Sequence, residues 1–145
     1  MASAQLTRNI DFEALRALRD RHGATFARGR MICREGDTTS TFYVVLQGSV
    51  EVSQKDRLTG QRQVLFTIPP GGFFGEMSCF GGLPRSATCV AAEDSVVLSF
   101  TQETAVQLLR ASPQFALGVI QTLCDRLRGA NERIGALETA APGRG

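Results

Sequence analysis

A glycine-rich segment with one acidic and one basic side chain is the part of this sequence best suited to chemistry. Gly71–Gly75 leads into Glu76–Phe80, which we predict to form a single helical turn. Free backbone N–H groups at the start of such a turn attract anions, and the helix dipole adds to this attraction. Arg85 follows nine residues after Glu76, so its forked guanidinium can reach the same anion. This spacing predicts a phosphate site.

Glu76 narrows the kind of phosphate that fits. A carboxylate repels a neighbouring phosphate unless a hydroxyl donor or a cation lies between them, and the 2′-OH of ribose is such a donor. A phosphate joined closely to a free 2′-OH describes a 3′,5′-cyclic nucleotide better than inorganic phosphate or DNA. Spacing alone leaves one alternative open, in which Glu76 and Arg85 are an ion pair that ties a β-hairpin together.

The reactive residues exclude most other chemistry. Cys33, Cys79, Cys89 and Cys124 are separated by 46, 10 and 35 positions, which is not the spacing of a zinc or iron–sulfur site. We expect them to be reduced, packed thiols. His22 is the single histidine, so neither a multi-histidine metal site nor a serine-nucleophile triad can be assembled. The sequence therefore predicts no enzyme, with no catalytic residue, metal or cofactor.

Length and charge set the broad class. A chain of 145 residues is long enough for one self-sufficient domain. Its 16 basic and 14 acidic residues are scattered, without the basic stripe of a nucleic-acid surface. We find no apolar run that could cross a membrane and no signal peptide near the N-terminus, so we expect a cytoplasmic protein without membrane contact.

Helical patterns enclose a β-rich middle. Apolar residues every three positions predict a short amphipathic helix over Asp11–His22. Short β-prone runs divided by turn signals then predict a β-sandwich, jelly roll or small barrel. These runs are Thr25–Phe26, Met31–Cys33, Phe42–Leu46, Val50–Ser53, Val64–Ile68, Ala87–Ala91 and Val96–Phe100. Thr101 and Ser112 are N-cap candidates for a helix ending near Ala111 and for a longer one over Pro113–Glu138.

The longer helix carries apolar residues at alternating steps of three and four. We call this set the seam; it comprises Ile120, Leu123, Leu127, Ala130, Ile134 and Leu137. Such a heptad pattern is typical of a helix that pairs with a second copy. The alternative is that the seam packs wholly on its own β-domain.

The segment FGEMSCFGGLPRSATCVA resembles the phosphate-binding cassette of the cyclic-nucleotide-binding domain family. Phe74–Glu76 matches its first half and Pro84–Thr88 its second, while Arg34–Asp37 and Phe42–Val52 look like the family's β-roll strands. The resemblance covers roughly Leu6 to Leu137. It implies an α+β fold in one domain over residues 1–145. A β-roll (double-stranded β-helix) at about 24–100 is flanked by an N-terminal helix and by C-terminal helices at about 101–138, with a tail at 139–145.

The resemblance also implies roles for individual residues. Arg85 would hold the exocyclic phosphate oxygens and Glu76 would accept a hydrogen bond from the ribose 2′-OH. The N–H groups of Gly75 and Met77, with Ser86, would complete the phosphate site. The family's guanine contact is usually a threonine where this chain has Ser86, so we expect cyclic AMP, with cyclic GMP as the other candidate.

The long helix is similar to the C-helix of catabolite-activator-like bacterial regulators, in which two copies pair and cap the ligand. This similarity places Asn131 against the base and Arg126 near Glu76 and the phosphate, although a solvated Arg126 is equally open. Ala130 stands where those regulators have a hydroxyl residue. No helix-turn-helix follows, so we expect no direct DNA binding.

These features together predict a cyclic-nucleotide sensor. The resemblance implies a homodimer through the long helix, in which ligand binding rearranges residues Gly129–Leu137. The alternative is a β-roll interaction or dimerisation domain whose cassette binds no nucleotide.

Overall fold

The N-terminal part of the described chain is helical. The computed structural model describes residues 11–140, with side chains as far as residue 137. Residues 1–10 and 141–145 lie outside the described residues, and with them the start of the resemblance at Leu6 and most of the predicted tail. Helices α1 (Phe12–Ala17) and α2 (Arg19–His22) replace the single predicted helix. They separate at Leu18, whose N–H turns back to the Leu15 carbonyl at 3.0 Å in a tighter, 3₁₀-type bond.

Within residues 11–140, eight strands form two four-stranded antiparallel sheets. The strands are β1 (Gly23–Phe26), β2 (Met31–Cys33), β3 (Phe42–Gln47), β4 (Val50–Lys55), β5 (Arg62–Ile68), β6 (Phe73–Phe74), β7 (Thr88–Ala91) and β8 (Ser95–Phe100). One sheet has the order β1-β8-β3-β6 and the other β2-β7-β4-β5. The predicted β-roll is thus confirmed, and every predicted strand is present. The strand β6, which the sequence did not predict, lies just before Gly75.

Two apolar clusters follow from the alternation of side chains along the strands. Val45, Val97 and Phe74 of the first sheet face Val50 and Val52 of the second, which fills the space between the sheets. The opposite face of the first sheet packs against helices, because Phe42, Val44 and Leu46 alternate with Tyr43 and Val45 along β3. Since both faces of β3 are covered, its sequence is almost continuously apolar.

The remaining helices lie around the first sheet. Helix α3 (Glu76–Gly81) follows β6, and helices α4 (Gln102–Ala111) and α5 (Pro113–Ala140) follow β8. Both predicted N-caps are confirmed, since the Thr101 hydroxyl accepts from the Thr104 N–H and the Ser112 hydroxyl from the Phe115 N–H, each at 3.2 Å. No helix among residues 11–140 is both long and apolar enough to span a membrane.

Only the first half of α5 packs on the β-roll. Phe115 and Val119 are buried in the cluster beneath the first sheet. The large seam residues are exposed, with Leu127 at 63%, Ile134 at 54% and Leu137 at 72% of their full accessibility. The alternative in which the seam packs wholly on its own β-domain is therefore wrong.

The prediction that all cysteines are packed is wrong for Cys124, which is an exposed thiol on α5. The other three cysteines, Cys33, Cys79 and Cys89, are buried.

Candidate functional site

Gly75 sets the geometry at the start of α3. It caps this helix in the left-handed conformation, with φ of 86°, which favours glycine over any other residue. A Cβ atom at this position would lie 2.6 Å from the carbonyl oxygen of Thr41 and 2.7 Å from Nη1 of Arg85. The guanidinium of Arg85 therefore lies beside Gly75 and leaves no room there for a side chain.

Arg85 is a buried cation with one unused donor. Its exposure is 3%, and it follows α3 immediately before the strand β7. Its Nε donates to the Thr39 hydroxyl at 3.0 Å and its Nη1 donates to the Thr41 carbonyl at 2.9 Å. Its Nη2 is buried and has no hydrogen-bond partner. A buried donor without a partner is costly, so this atom indicates a place for an anionic acceptor.

The loop after β2 holds the backbone of Arg85. The Arg85 N–H donates to the Asp37 carbonyl at 2.7 Å, and the Gly36 N–H donates to the Arg85 carbonyl at 2.9 Å. The Tyr43 ring lies beside the guanidinium, with 5.5 Å between the Arg85 Cζ and the ring centroid. Backbone and side chain are thus held independently, which fixes the direction in which Nη2 points.

Glu76 forms its ion pair with Arg126 instead of Arg85. Arg126 Nη1 donates to Glu76 Oε1 at 3.1 Å, and Arg126 Nη2 donates to the Phe73 carbonyl at 2.7 Å. The Arg126 guanidinium also lies against the rings of Phe73 and Phe66, with Cζ 4.6 and 5.0 Å from their centroids. Burial lowers the pKa of Arg126, and the Glu76 carboxylate opposes this effect. The alternative of a hairpin ion pair between Glu76 and Arg85 is not what the structure contains.

One cavity joins the guanidinium of Arg85 to the ion pair. It is a small cleft that opens to solvent, with a cavity volume of about 50 Å³. Six of the seven predicted site residues line it: Gly75, Glu76, Met77, Arg85, Ser86 and Arg126. The other lining residues are Cys33, Val52, Phe66, Phe74, Ser78, Ala87 and Cys89. The cavity therefore combines an anion-binding cation, a carboxylate and an apolar wall, which is the character of a pocket for a small organic anion.

Asn131 is the predicted site residue that does not line the cavity. It is exposed on α5. It follows Arg126 by five residues, which corresponds to about 140° around a helix of 3.6 residues per turn. Because Arg126 faces the cavity, Asn131 points well away from it and lies on the side of the helix that carries Leu127 and Ile134.

Several contacts of the site have no signal in the sequence. Thr39 and Thr41 orient Arg85 from 46 and 44 residues away, in a loop that the sequence marks only as a turn. Phe66 covers Arg126 from the strand β5. Among the residues that the structure describes, no group of three or more His, Cys, Asp or Glu side chains is arranged to hold a metal ion.

The chain is similar to known proteins over most of its length. Residues 24–112 match the family model for the cyclic nucleotide-binding domain. The chain is 35% identical over 106 residues to the cyclic AMP receptor protein of Thermus thermophilus, which covers 73% of this chain and 49% of that protein. It is 36% identical over 118 residues to the cyclic nucleotide-gated potassium channel mll3241 of Mesorhizobium japonicum, covering 81% of this chain and 30% of the channel. The chain thus spans half or less of the length of these two relatives.

Comparison of the fold with solved structures points to the same family as the sequence comparison. The crystal structure of the Thermus thermophilus catabolite activator protein superimposes with a TM-score of 0.77 at 29% identity, covering 93% of this chain and 63% of that one. The residues matched by the family model, 24–112, include β2 to β8, all of β1 but its first residue, and the cavity residues from Cys33 to Cys89. The chain therefore belongs to the cyclic nucleotide-binding domain family.

Proposed function

We propose that this chain is a sensor module that binds a 3′,5′-cyclic nucleotide, cyclic AMP in the first place, in the cavity between Arg85 and Glu76. The unused Nη2 donor of Arg85 carries the proposal, because this donor is buried and Arg85 lines the same cavity as the carboxylate of Glu76. A singly charged cyclic phosphodiester offers this donor an acceptor and compensates the buried charge.

The carboxylate of Glu76 can bind the ribose while it keeps its ion pair with Arg126. Only Oε1 is engaged by the Arg126 guanidinium, so Oε2 remains to accept from a ribose 2′-OH. The ligand would then bridge Arg85 and Glu76, and through Glu76 it would be connected to Arg126 on α5. Ser86 is exposed at the edge of the cavity, where its hydroxyl can donate to a phosphate oxygen while its carbonyl accepts from the Gln54 side chain at 2.7 Å.

Binding at Glu76 is expected to act on α5. Arg126 is the hydrogen-bonding link from this helix to Glu76 and to the carbonyl of Phe73. Beyond it, Gly129 and Gly135 each weaken the helix by about 1 kcal/mol relative to alanine. A ligand that changes the position of Glu76 thus shifts the equilibrium between arrangements of Gly129–Leu137, to the extent that its affinity for them differs.

The exposed seam fits a second copy of this chain. Residues Leu127, Ile134 and Leu137 present an apolar stripe on the half of α5 that leaves the β-roll. Asn131 lies on the same side, so a paired helix would bring it toward the partner's cavity, where its amide could read the base. We include this homodimer in the proposal.

The proposal describes a binding module and not an enzyme, since it needs neither a catalytic residue nor a cofactor. A cytoplasmic location and the lack of direct DNA contact remain part of it. The activities of the longer relatives are not assigned to this chain.

A thermal-shift comparison of cyclic AMP, cyclic GMP and AMP tests the proposal. A ligand that binds the native state alone raises the melting temperature by mass action. We expect a shift that saturates with cyclic AMP, a smaller one with cyclic GMP and none with AMP, whose doubly charged monoester does not suit a single cation. Equal shifts for all three, or none at all, would instead favour an interaction domain without a working pocket.

A further inference from the structure

Two buried cysteines face each other in the wall of the cavity. Cys33 on β2 and Cys89 on β7 are directly opposed in the antiparallel register of these strands. Their exposures are 7% and 4%, and both line the cavity that contains Arg85. Each thiol shifts the pKa of the other. Opposed residues of an antiparallel pair have Cα atoms about 4.5 to 5.5 Å apart, which lies within the range that a disulfide spans.

The two thiols differ in acidity. The hydrogen bond from the Cys89 thiol lowers the pKa of Cys33, and the charge of Arg85 acts in the same direction against the effect of burial. The same hydrogen bond and burial raise the pKa of Cys89. Cys33 is therefore the more reactive sulfur, and Cys89 is placed as its resolving partner.

We propose that Cys33 and Cys89 are a peroxide-sensitive dithiol, which oxidation converts into an intramolecular disulfide in the wall of the cavity. Hydrogen peroxide is small enough to reach both sulfurs through the cavity that they line.

Hydrogen peroxide is the only oxidant that disulfide formation requires. The Cys33 thiolate attacks one peroxide oxygen, the O–O bond breaks, and the departing hydroxide takes up the proton lost by Cys33 to give water. The Cys89 sulfur then attacks the resulting sulfenic acid, the S–O bond breaks as the S–S bond forms, and the second hydroxide leaves as water with the proton of Cys89. Two thiols lose two electrons in total, and peroxide is reduced to two waters. A small dithiol reverses the reaction by exchange.

The disulfide would act on the site through β2 and β7. The segment after Cys33 holds the backbone of Arg85 through Gly36 and Asp37, and the segment before Cys89 contains Arg85 itself. Closing the thiols to an S–S distance of about 2.0 Å therefore moves the two supports of Arg85 relative to each other. In addition, a nucleotide in the cavity would cover both sulfurs. This coupling rests on the proposed function, whereas the disulfide itself does not.

Peptide mapping of the full chain tests the proposal without a nucleotide. Cleavage after arginine and lysine places the four cysteines in separate peptides, 31–34, 63–85, 86–110 and 111–126. The reduced protein is treated with graded hydrogen peroxide, alkylated, digested and analysed by mass spectrometry. We expect peptides 31–34 and 86–110 to become joined, at a mass lower by two hydrogens than their sum, and to separate after treatment with dithiothreitol. If Cys33 and Cys89 are both alkylated at peroxide doses that oxidise the exposed Cys124, the proposal is wrong.

Two variants assign the roles of the sulfurs. Cys89→Val should abolish the joined peptides and leave Cys33 as a sulfenic acid that dimedone traps. The matched control Cys124→Ser, at an exposed position, should leave the joined peptides unchanged. Joined peptides that disappear in Cys124→Ser would show that the bond forms by exchange through Cys124, which contradicts direct closure.

A final experiment, with cyclic AMP present, distinguishes failure of the dithiol proposal from failure of the proposed function. Saturating cyclic AMP should slow formation of the joined peptides in the wild-type protein. If cyclic AMP binds by thermal shift but leaves the rate unchanged, the cavity is not the route to the thiols and that part of the proposal is overturned. If cyclic AMP does not bind while the disulfide still forms, the proposed function fails and the dithiol stands.

Discussion

Arg126 on the long C-terminal helix hydrogen-bonds Glu76 on the short helix beside the cavity, with 3.1 Å between Nη1 and Oε1. The two residues are 50 positions apart, and both side chains are largely buried, at 16% and 14% exposure. Glu76 is the carboxylate that we propose binds the ligand. Through the contact with Arg126, it also holds α5, the helix that carries the seam. In the proposed function, this contact links occupancy of the cavity to the position of α5.

Replacing Arg126 should loosen α5 from the β-roll. In Arg126→Gln, Glu76 and the Phe73 carbonyl lose their charged donor, and leaving buried groups unpaired costs about 1 to 3 kcal/mol. We expect this loss in the free energy of unfolding by urea denaturation. Arg128→Gln is the matched control, because Arg128 lies on the same helix and pairs with Asp125 while 65% exposed, so its loss should cost at most about 1 kcal/mol. Equal losses in both variants would mean that the contact with Glu76 does not hold the helix.

Gly75 should not tolerate a side chain. In Gly75→Ala, the left-handed backbone costs about 1 to 2 kcal/mol, and the new Cβ collides with the Thr41 carbonyl and with Arg85. Nucleotide binding, measured by calorimetry, should therefore be lost with the displacement of the guanidinium. Gly29 has the same φ of 86° with nothing within 4 Å of its Cβ position, so Gly29→Ala should show the backbone cost and normal binding. Normal binding by Gly75→Ala would remove this contact from the site.

Ligand binding should change the protection of the end of α5. Amide hydrogen exchange of Gly129–Leu137 reports the opening of this segment. We expect protection to change on saturation with cyclic AMP, while β3, which is covered on both faces, keeps its protection. Unchanged exchange at Gly129–Leu137 in a protein that demonstrably binds the ligand would rule out the proposed rearrangement.

The seam should mediate pairing. Leu127 is 63% exposed, so Leu127→Glu should alter the stability of an isolated chain by no more than about 0.5 kcal/mol. In a dimer paired through α5, the same change buries a charge, and light scattering should show a shift to monomer. Glu132→Gln, on the opposite side of the helix, should leave the mass unchanged. A wild-type protein that is monomeric at all concentrations tested would exclude the homodimer.

The sequence predicts those parts of the fold and site that depend on local pattern. The strands and the N-caps of α4 and α5 follow from alternation, turn residues and hydroxyl side chains. Gly75, Glu76 and Arg85 are close in the chain, so their convergence on one cavity could be anticipated from spacing. The pair of phenylalanines in β6 escaped prediction because two residues between glycines are too short to show a period.

Contacts between distant segments could not be predicted in this way. The register that opposes Cys33 to Cys89 across β2 and β7 depends on a bulge between Met31 and Cys33, which no local pattern marks. The resemblance placed Arg126 near Glu76, and the structure confirms this contact, but spacing alone could not choose Arg126 over Arg85 because the choice depends on where α5 crosses the β-roll. Asn131 also depends on more than its own chain, since the helical rotation turns it to the seam, and its predicted contact with the base would have to be made in the cavity of a second copy.

Calorimetric titration of the wild-type protein and of Arg85→Ala with cyclic AMP measures whether the Arg85 guanidinium binds the nucleotide. We expect saturable binding to the wild type and a binding free energy weaker by about 2 to 5 kcal/mol, or an affinity lower by at least about thirtyfold, in Arg85→Ala. Arg85→Lys, which keeps the charge but not the forked donors, should fall between them. Wild-type affinity in Arg85→Ala, with both proteins folded by circular dichroism, would contradict the account.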